Sequence, residues 1–264
     1  MTKNILKTTL VVLAAGSMLA GCDLEQPEAP CFVQDAGNWY AKYDLVSEPR
    51  TAAGAACTVV PPIAERLGIY KFVDPEKPNE PIITIRPAGL AGLGARDSGP
   101  STRQTATGQL ATEPDADDFC SGSNFSVATV DAAVVPAVPD NPATTANEAR
   151  PAVPATTITY EFSNVRVYSA PSSPGTQMTG ELKYTRDGCT STYVIRAIWP
   201  AAACIQGTTE PATNCGNGSG LNPDFAAECA PIANCGLTQR QIDDGYNGCC
   251  VASKTIPSFV DAAE

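Results

Sequence analysis

Apolar and polar side chains alternate along much of this chain with the two-residue period of a β-strand. In residues 39–45, Trp39, Ala41, Tyr43 and Leu45 fall on one face and mostly polar side chains on the other. Successive side chains of a strand point to opposite faces, so this alternation predicts a strand with one buried face.

A second alternation runs through residues 158–168. Its apolar positions pass from Tyr160 and Phe162 to Val165, which is a change of phase. One extra residue in a strand produces such a change, so we expect a β-bulge at residues 163–164.

Residues 175–199 have the pattern of a β-hairpin. Asp187 and Gly188 form a pair typical of a two-residue turn. A turn there places Leu182 opposite Tyr193, with apolar pairs on one face and mostly polar pairs on the other. A slip by one residue would lose this agreement, so the register is a specific prediction.

Shorter strands are predicted at residues 67–73, 82–85 and 104–110, where β-formers are bounded by Pro, Gly, Asn and Asp. The glycine-rich residues 89–100 are expected to be irregular. Residues 128–157 are rich in Pro, Ala and Thr and carry an imperfect repeat, PAVP at 136–139 and 151–154. We interpret them as an inserted, semi-rigid loop in which proline prevents ladder pairing.

Beyond Pro200 the chain becomes rich in cysteine and poor in large apolar residues. Such a segment is expected to bury little core and to depend on disulfides for its shape. A short helix is predicted at residues 238–244, with Thr238 as its N-cap.

These patterns predict a mainly β protein: an antiparallel, β-sandwich-like domain over residues 31–201 and a disulfide-rich, loop-dominated C-terminal extension over residues 202–264. The alternative is a single β domain whose cysteine-rich part is only its long terminal loops.

The first 22 residues have the features of an export signal. Lys3 and Lys7 precede an apolar run at residues 8–19, which ends in the segment Leu-Ala-Gly-Cys at residues 19–22. This segment resembles the lipobox of bacterial lipoproteins. The resemblance implies cleavage before Cys22, lipid on its sulfur and a tether over residues 22–30. An uncleaved anchor, or a secretory signal cut after Ala20 or Gly21, shares every feature except the lipid.

A lipidated Cys22 implies anchoring in the cell envelope, since two or more acyl chains hold a protein stably on a membrane. We expect the outer membrane. Asp23 resembles the inner-membrane retention signal of some enteric lipoproteins, so the inner membrane stays open.

The charge balance excludes one class of partner. The formal net charge is −11, and it becomes −13 for the 243 residues that remain after cleavage before Cys22. Phosphate contacts need clustered Lys and Arg, so nucleic acid is not expected to bind. The expected partners are the membrane, through the lipid, and an envelope protein or glycan.

Cysteine usage predicts an oxidised protein. Setting Cys22 aside leaves an even number for disulfides, as expected in an oxidising compartment. These ten are Cys31, Cys57, Cys120, Cys189, Cys204, Cys215, Cys229, Cys235, Cys249 and Cys250. We expect five bridges, with adjacent Cys249 and Cys250 bonded to different partners. Their connectivity stays open, within each region or between the two.

The chain contains no histidine, which excludes Ser-His-Asp and Cys-His catalysis and histidine-bearing zinc sites. We therefore expect no enzyme, no metal and no cofactor, although the paired carboxylates of a glycosidase stay open as an alternative.

Three weaker motifs have plainer interpretations. The GLAGLG run at 89–94 lacks the strand-to-helix setting of a phosphate loop, the acids at 113–118 read as a solvated turn, and residues 218–220 lack the glycines of a nucleophile elbow.

The leading hypothesis is a membrane-anchored envelope lipoprotein with a non-enzymatic binding or structural role. The alternative is a carbohydrate-binding or carbohydrate-cleaving module that uses Trp39, Tyr40, Tyr43 or Trp199 as stacking surfaces. Exposure of these rings distinguishes the two, because a sugar platform must be exposed and a core ring is buried.

Overall fold

The computed structural model describes residues 30–57, 64–140, 148–231 and 236–261. The predicted lipobox, most of the predicted tether and Cys235 lie outside the described residues. The predicted mainly β, antiparallel class is confirmed, because the described chain forms a nine-stranded and a three-stranded antiparallel sheet. The extension thus has a sheet of its own and is more than a set of terminal loops.

The large sheet contains β1 Ala36–Thr51, β2 Ala64–Phe72, β3 Ile82–Pro87, β4 Ala106–Leu110, β5 Phe119–Ser123, β6 Ala128–Ala132, β7 Thr156–Tyr168, β8 Gln177–Arg186 and β9 Cys189–Ile198. The small sheet contains β10 Ala203–Cys204, β11 Ala227–Ala230 and β12 Gly248–Ala252. Two short helices are present in the described chain, α1 Ala88–Ala91 and α2 Gln239–Asp243.

The large sheet closes on itself around one core. Its order is β5-β4-β3-β2-β1-β9-β8-β7-β6, and β5 also pairs with β7. The first half of β7 pairs with β6, and residues 165–168 pair with β5. The predicted bulge lies between these halves, with a register shift between Ser163 and Arg166 and Asn164 at a φ of 49°. Two halves of one sheet therefore face each other where a sandwich would have two sheets.

The predicted hairpin register is confirmed in β8 and β9. Leu182 pairs with Tyr193, and the turn residues Asp187 and Gly188 have φ angles of 50° and 81°. Both angles are positive, as a type I′ turn requires. The strands predicted in residues 67–73, 82–85 and 104–110 are also present as β2, β3 and β4.

Alternation along β1 is confirmed for Trp39, Ala41 and Tyr43, which are buried in the core. Leu45 was expected beside them but is 45% exposed. The register of β1 against β9 shifts between Leu45 and Ser47, which ends the regular alternation at this position.

The small sheet packs on the outer face of the large one, because β12 contacts β1 and β9. All five residues of β12 are buried, and Tyr40 of β1 lies in a cluster with Cys249 and Val251. The expectation that the extension buries little core is therefore wrong. A second cluster places Cys204, Cys215 and Cys250 against Phe119 and Ile198 of the large sheet, so disulfide sulfur itself supplies much of the apolar volume.

Four disulfides have both of their cysteines among the described residues, and none of these four joins the two sheets. They are Cys31–Cys120 and Cys57–Cys189 in the large sheet, and Cys204–Cys229 and Cys215–Cys250 in the extension. Cys249 is disulfide-bonded as well. Adjacent Cys249 and Cys250 are not bonded to each other, because Cys250 bonds to Cys215.

The segment at 128–157 differs from the expected loop. Its first five residues form β6, its last two begin β7, and the two proline-rich arms pair with each other. Val135 and Val153 exchange both backbone hydrogen bonds, and so do Val138 and Arg150. A proline directly follows each of these four residues, so the missing N–H falls at positions that make no ladder bond. Proline at this density therefore permits sparse pairing.

The base of these arms is held by Arg96. Its guanidinium donates hydrogen bonds to the carbonyl oxygens of Ala133 (2.9 and 2.6 Å) and Pro154 (2.6 Å). The backbone N–H of Ala133 donates in turn to the carbonyl oxygen of Arg96. One side chain thus ties both arms to the body of the protein.

Both helices are short. The predicted helix is confirmed as α2, where Thr238 and Gln241 form a reciprocal capping box. Residues 89–100 were expected to be irregular, but they contain α1 and a 3₁₀ turn at Gly94–Arg96. Leu90 of α1 is fully buried, which anchors this segment over one end of the core.

Candidate functional site

The aromatic residues proposed as a sugar platform belong to the core. Trp39, Tyr40 and Tyr43 are buried, and Trp199 is half-buried. The indole N–H of Trp39 donates to the carbonyl oxygen of Gln34 (2.9 Å), and that of Trp199 donates to Asn38 Oδ1 (3.0 Å). The three buried rings cannot stack on a sugar from solution. The platform hypothesis is therefore wrong for Trp39, Tyr40 and Tyr43, and the core interpretation is confirmed for them. Trp199 is partly buried and packs against the core.

A buried carboxylate, which the sequence reasoning missed, lies inside the large sheet. Glu65 of β2 is 8% exposed and accepts three hydrogen bonds. The hydroxyls of Tyr43 and Tyr160 donate to its Oε1 at 2.9 and 2.7 Å, and the backbone N–H of Gly89 donates to its Oε2 at 2.7 Å. Strands β1, β2 and β7 and helix α1 thus meet at one acidic group.

Burial controls the ionisation of this cluster. It raises the pKa of Glu65, and the hydrogen bonds from Tyr160, Gly89 and Tyr43 oppose that rise. Burial and the nearby Glu65 carboxylate raise the pKa of both Tyr43 and Tyr160 well above 10.0, and burial raises the pKa of Tyr184 to about 12. The tyrosines therefore remain neutral donors near neutral pH.

The GLAGLG run serves this cluster. A Cβ at Gly89 would lie 3.0 Å from Tyr160 Oη and 3.2 Å from Glu65 Oε2, so glycine allows the backbone to approach the carboxylate. The run thus supplies a backbone donor to a buried acid. One signal for Glu65 was in the sequence, because it lies in phase with the core residues Leu67 and Ile69 of β2.

The acidic turn at 113–118 is organised around Asp115. Its Oδ1 accepts the backbone N–H groups of Asp117 (3.0 Å) and Phe119 (2.9 Å), and its Oδ2 accepts from Arg166 (2.9 Å). The bond from Phe119 contributes most to lowering the pKa of Asp115. This carboxylate therefore stabilises the turn and pairs with β7.

Three sulfur atoms form the closest approach to a metal-ligand cluster in the described chain. The Sγ atoms of Cys204, Cys215 and Cys229 lie within 4.8 Å of one another. All three belong to disulfides, to Cys229, Cys250 and Cys204 respectively. Zinc binds thiolates, so these oxidised sulfurs have a structural role.

An arginine-lined groove lies on the outer face of β1, β2 and β3. Its volume is about 460 Å³. Arg66 and Arg86 provide its charge and Tyr70 provides an aromatic ring, while small residues complete the lining at Gly37, Gly68, Ala88 and Ala91. Arg86 donates to Gln104 Oε1 at 3.0 Å. This groove is one candidate binding site on the described surface.

Comparison with known proteins places the chain in a family. The family model described as MlpA matches residues 37–200, which include all nine strands of the large sheet except one residue of β1. A Myxococcus xanthus protein named "Putative lipoprotein MlpA" is 48% identical over 260 residues, covering 98% of this chain and the whole of that protein.

No solved structure matches the chain at a significant level. Within the described ranges, every helix is too short or too polar to cross a membrane. The match to the family model and the full-length identity to its named relative establish that this chain belongs to the MlpA family of bacterial lipoproteins.

Proposed function

We propose that this protein is anchored in the cell envelope by lipid on Cys22 and has a non-enzymatic binding or structural role there. The proposal rests on one combination: the chain has a lipobox-like segment at residues 19–22, and it belongs to a family whose named relative is a putative lipoprotein. The alignment to the named lipoprotein covers 98% of the chain, so residues 19–22 lie inside it. Two or three acyl chains on Cys22 would hold the protein stably on a membrane.

The architecture supports a binding or structural role. The first cysteine after the proposed tether, Cys31, is bonded to Cys120 of β5, so the large sheet begins directly after the tether. The buried acid Glu65 has its donors fixed by Tyr43, Tyr160 and Gly89, which suits a structural acid. The arginine-lined groove and the proline-rich arms face outward and provide surfaces for recognition.

Membrane fractionation of a Cys22→Ser variant tests the anchor. We expect the variant to leave the membrane fraction or to accumulate with its leader, and mass spectrometry of the wild-type protein to show acylated Cys22 as the first residue. The matched control is the double variant Cys57→Ser, Cys189→Ser, which loses two cysteines and keeps the membrane association. An unmodified Cys22, or membrane association of Cys22→Ser with normal processing, contradicts the proposal.

The choice of membrane and the binding role have separate tests. We propose the outer membrane, and density-gradient separation of the two membranes decides between it and the inner membrane.

For the binding role, crosslinking in intact cells should give a discrete product that the released Cys22→Ser protein does not form. A protein that gives no product while anchored contradicts a binding role at the membrane.

A further inference from the structure

We propose that the groove between β1, β2 and β3 binds the carboxylate or phosphate of a small organic molecule, through the guanidinium groups of Arg66 and Arg86. This inference deepens the proposed binding role by naming a ligand class. It concerns the folded chain alone and does not depend on the lipid anchor.

The sheet register places the two arginines together. Gly68 of β2 pairs with Arg86 of β3, and Arg66 precedes Gly68 by two residues, so both side chains lie on the outer face. They are diagonal neighbours, which lie roughly 7–8 Å apart in an antiparallel pair. Both side chains line the groove, and planar guanidinium forks are suited to hold an oxyanion.

Neither arginine has an acidic partner within the described part of the chain. Other basic residues of this acidic protein do, for example Lys42 with Glu228 (2.9 Å) and Arg166 with Asp115 (2.9 Å). The side chain of Arg86 reaches only the neutral amide of Gln104. Two cations without carboxylates on adjacent strands therefore form a local positive site on a protein of net charge −11.

Arg66 also carries a buried polar atom that the fold leaves unsatisfied. Its Nε is buried and has no hydrogen-bond partner among the described residues. A buried donor without an acceptor destabilises a protein unless something satisfies it. Because Nε is shielded from solvent, an oxyanion in the groove would have to bind at the terminal nitrogens of Arg66. The guanidinium also lies close to Gly236 of the extension, where a Cβ would clash with Nη1.

The shape of the groove indicates more than a bare ion. Tyr70 is 47% exposed, and its ring lies close over Gly37 and Gly68. A Cβ would be 3.1 Å from Tyr70 Oη at Gly37 and 3.4 Å from Tyr70 Cε2 at Gly68. The ring forms a wall beside the arginines, and about 460 Å³ is enough for a short organic group next to the anion.

Calorimetric titration of the full mature chain, kept in a neutral maltoside detergent, tests the proposal. The probes are N-acetylalanine for a carboxylate, glucose 1-phosphate for a phosphate ester and N-acetylalaninamide as the neutral analogue of the first. We expect saturable binding of at least one anion, no binding of the amide, and weaker binding at higher salt. The anion that binds more tightly identifies the source.

Four variants locate the site. Arg66→Gln and Arg86→Gln should each weaken binding about tenfold or more, because each removes a charge-assisted hydrogen bond. Gly68→Ala should weaken binding while keeping both charges, since its Cβ makes only ordinary contacts and fills the floor. The matched control is Arg240→Gln, an exposed arginine of α2 that should bind like the wild type.

Absence of saturable binding for both anions overturns the inference, and so does unchanged affinity in folded Arg86→Gln and Gly68→Ala. These two variants decide the matter if Arg66→Gln does not fold. Because the titration needs no membrane, anion binding by a protein that fails the acylation test would refute the anchor alone. An acylated protein that binds no anion would refute only the groove.

Discussion

Glu65 shows how one residue position joins distant parts of this chain. Among the described residues it is the only buried carboxylate. Its three donors come from β1, β7 and α1, so they are separated from it by 22 to 95 residues. Such a group costs desolvation energy, and its full set of hydrogen bonds offsets that cost. The acid therefore fixes how the strands and α1 fit together at this end of the core.

We predict that Glu65→Gln is destabilising and that the effect depends on pH. At pH 4 the folded wild type holds Glu65 protonated, with one O–H donor, whereas the amide would place two N–H donors against the tyrosine hydroxyls or the Gly89 N–H. This added donor should cost about 1–3 kcal/mol at pH 4. The pKa of Glu65 in the folded protein is raised above its ordinary value of 4.5. The wild type therefore loses stability relative to the variant as pH rises above 4.5 through the folded-state pKa.

Denaturant unfolding at several pH values from 4 to 8 measures this difference. The matched control is Glu161→Gln, an acid on the exposed side of β7 that pairs with Lys183 and should show little effect. A difference between wild type and Glu65→Gln that stays constant or grows with pH would mean that Glu65 does not carry the raised pKa.

Sequence reasoning at this scale located the buried face of β1 but not the acid. The alternation of Trp39, Ala41 and Tyr43 is local, so burial follows directly from the pattern. Glu65 has the same local pattern, but an acid in a core is acceptable only when donors surround it. Those donors come from other elements, and no local pattern contains them.

At the scale of elements, the β8–β9 hairpin is the unit whose geometry depends most on its own residues. Gly188 adopts a φ of 81°, and a Cβ there would meet nothing within 4 Å. Any cost of substitution at this position therefore comes from the backbone and not from a clash. A substitution at Gly188 therefore tests the backbone conformation of the turn without disturbing side-chain packing.

We predict that Gly188→Val lowers the free energy of unfolding by about 1–2 kcal/mol or more, because a β-branched residue resists positive φ. Gly188→Asn is the matched control and should cost less, since asparagine adopts the left-handed region more readily. Equal stability of the two variants, measured by denaturant unfolding, would show that φ is not what limits this turn.

The elements also show where pattern reasoning failed. The register of the hairpin follows from a local turn and a period of two, so it could be predicted from 25 residues. The pairing of the proline-rich arms could not, because it depends on a proline directly following each of the four hydrogen-bonded residues, Val135, Val138, Arg150 and Val153. The number of prolines predicted a loop without strand pairing, and this prediction is wrong. The positions of the prolines relative to the hydrogen-bonded residues decide whether the arms can pair.

At the scale of the whole molecule, the four disulfides with both cysteines among the described residues fall into two sets, one for each sheet. The two bridges of the large sheet span 89 and 132 residues, and those of the extension span 25 and 35. The even cysteine count could be read from the sequence, but the pairing could not, because it follows from which strands are neighbours. Only the closed sheet brings Cys31 to Cys120.

We predict that the double variant Cys215→Ala, Cys250→Ala loosens the extension and leaves the large sheet intact. The bridge lies in the cluster that holds the small sheet, and its loss should cost about 2–4 kcal/mol. Hydrogen exchange should therefore accelerate in β10, β11 and β12 but not in β8 and β9. The comparison variant, Cys57→Ala with Cys189→Ala, should affect residues near the β8–β9 turn instead. Uniform acceleration in both sheets would contradict separate stabilisation.

The Cys31–Cys120 disulfide determines how this protein would bear a mechanical load. In the proposed anchored state, a pull between membrane and partner enters the chain at residue 30 and reaches Cys31 at once. The disulfide passes that force directly to β5, which is paired with both β4 and β7. Force at this point would have to shear several ladders together and could not unzip β1 one hydrogen bond at a time. Under reducing conditions the same pull would instead peel the chain from its first residues.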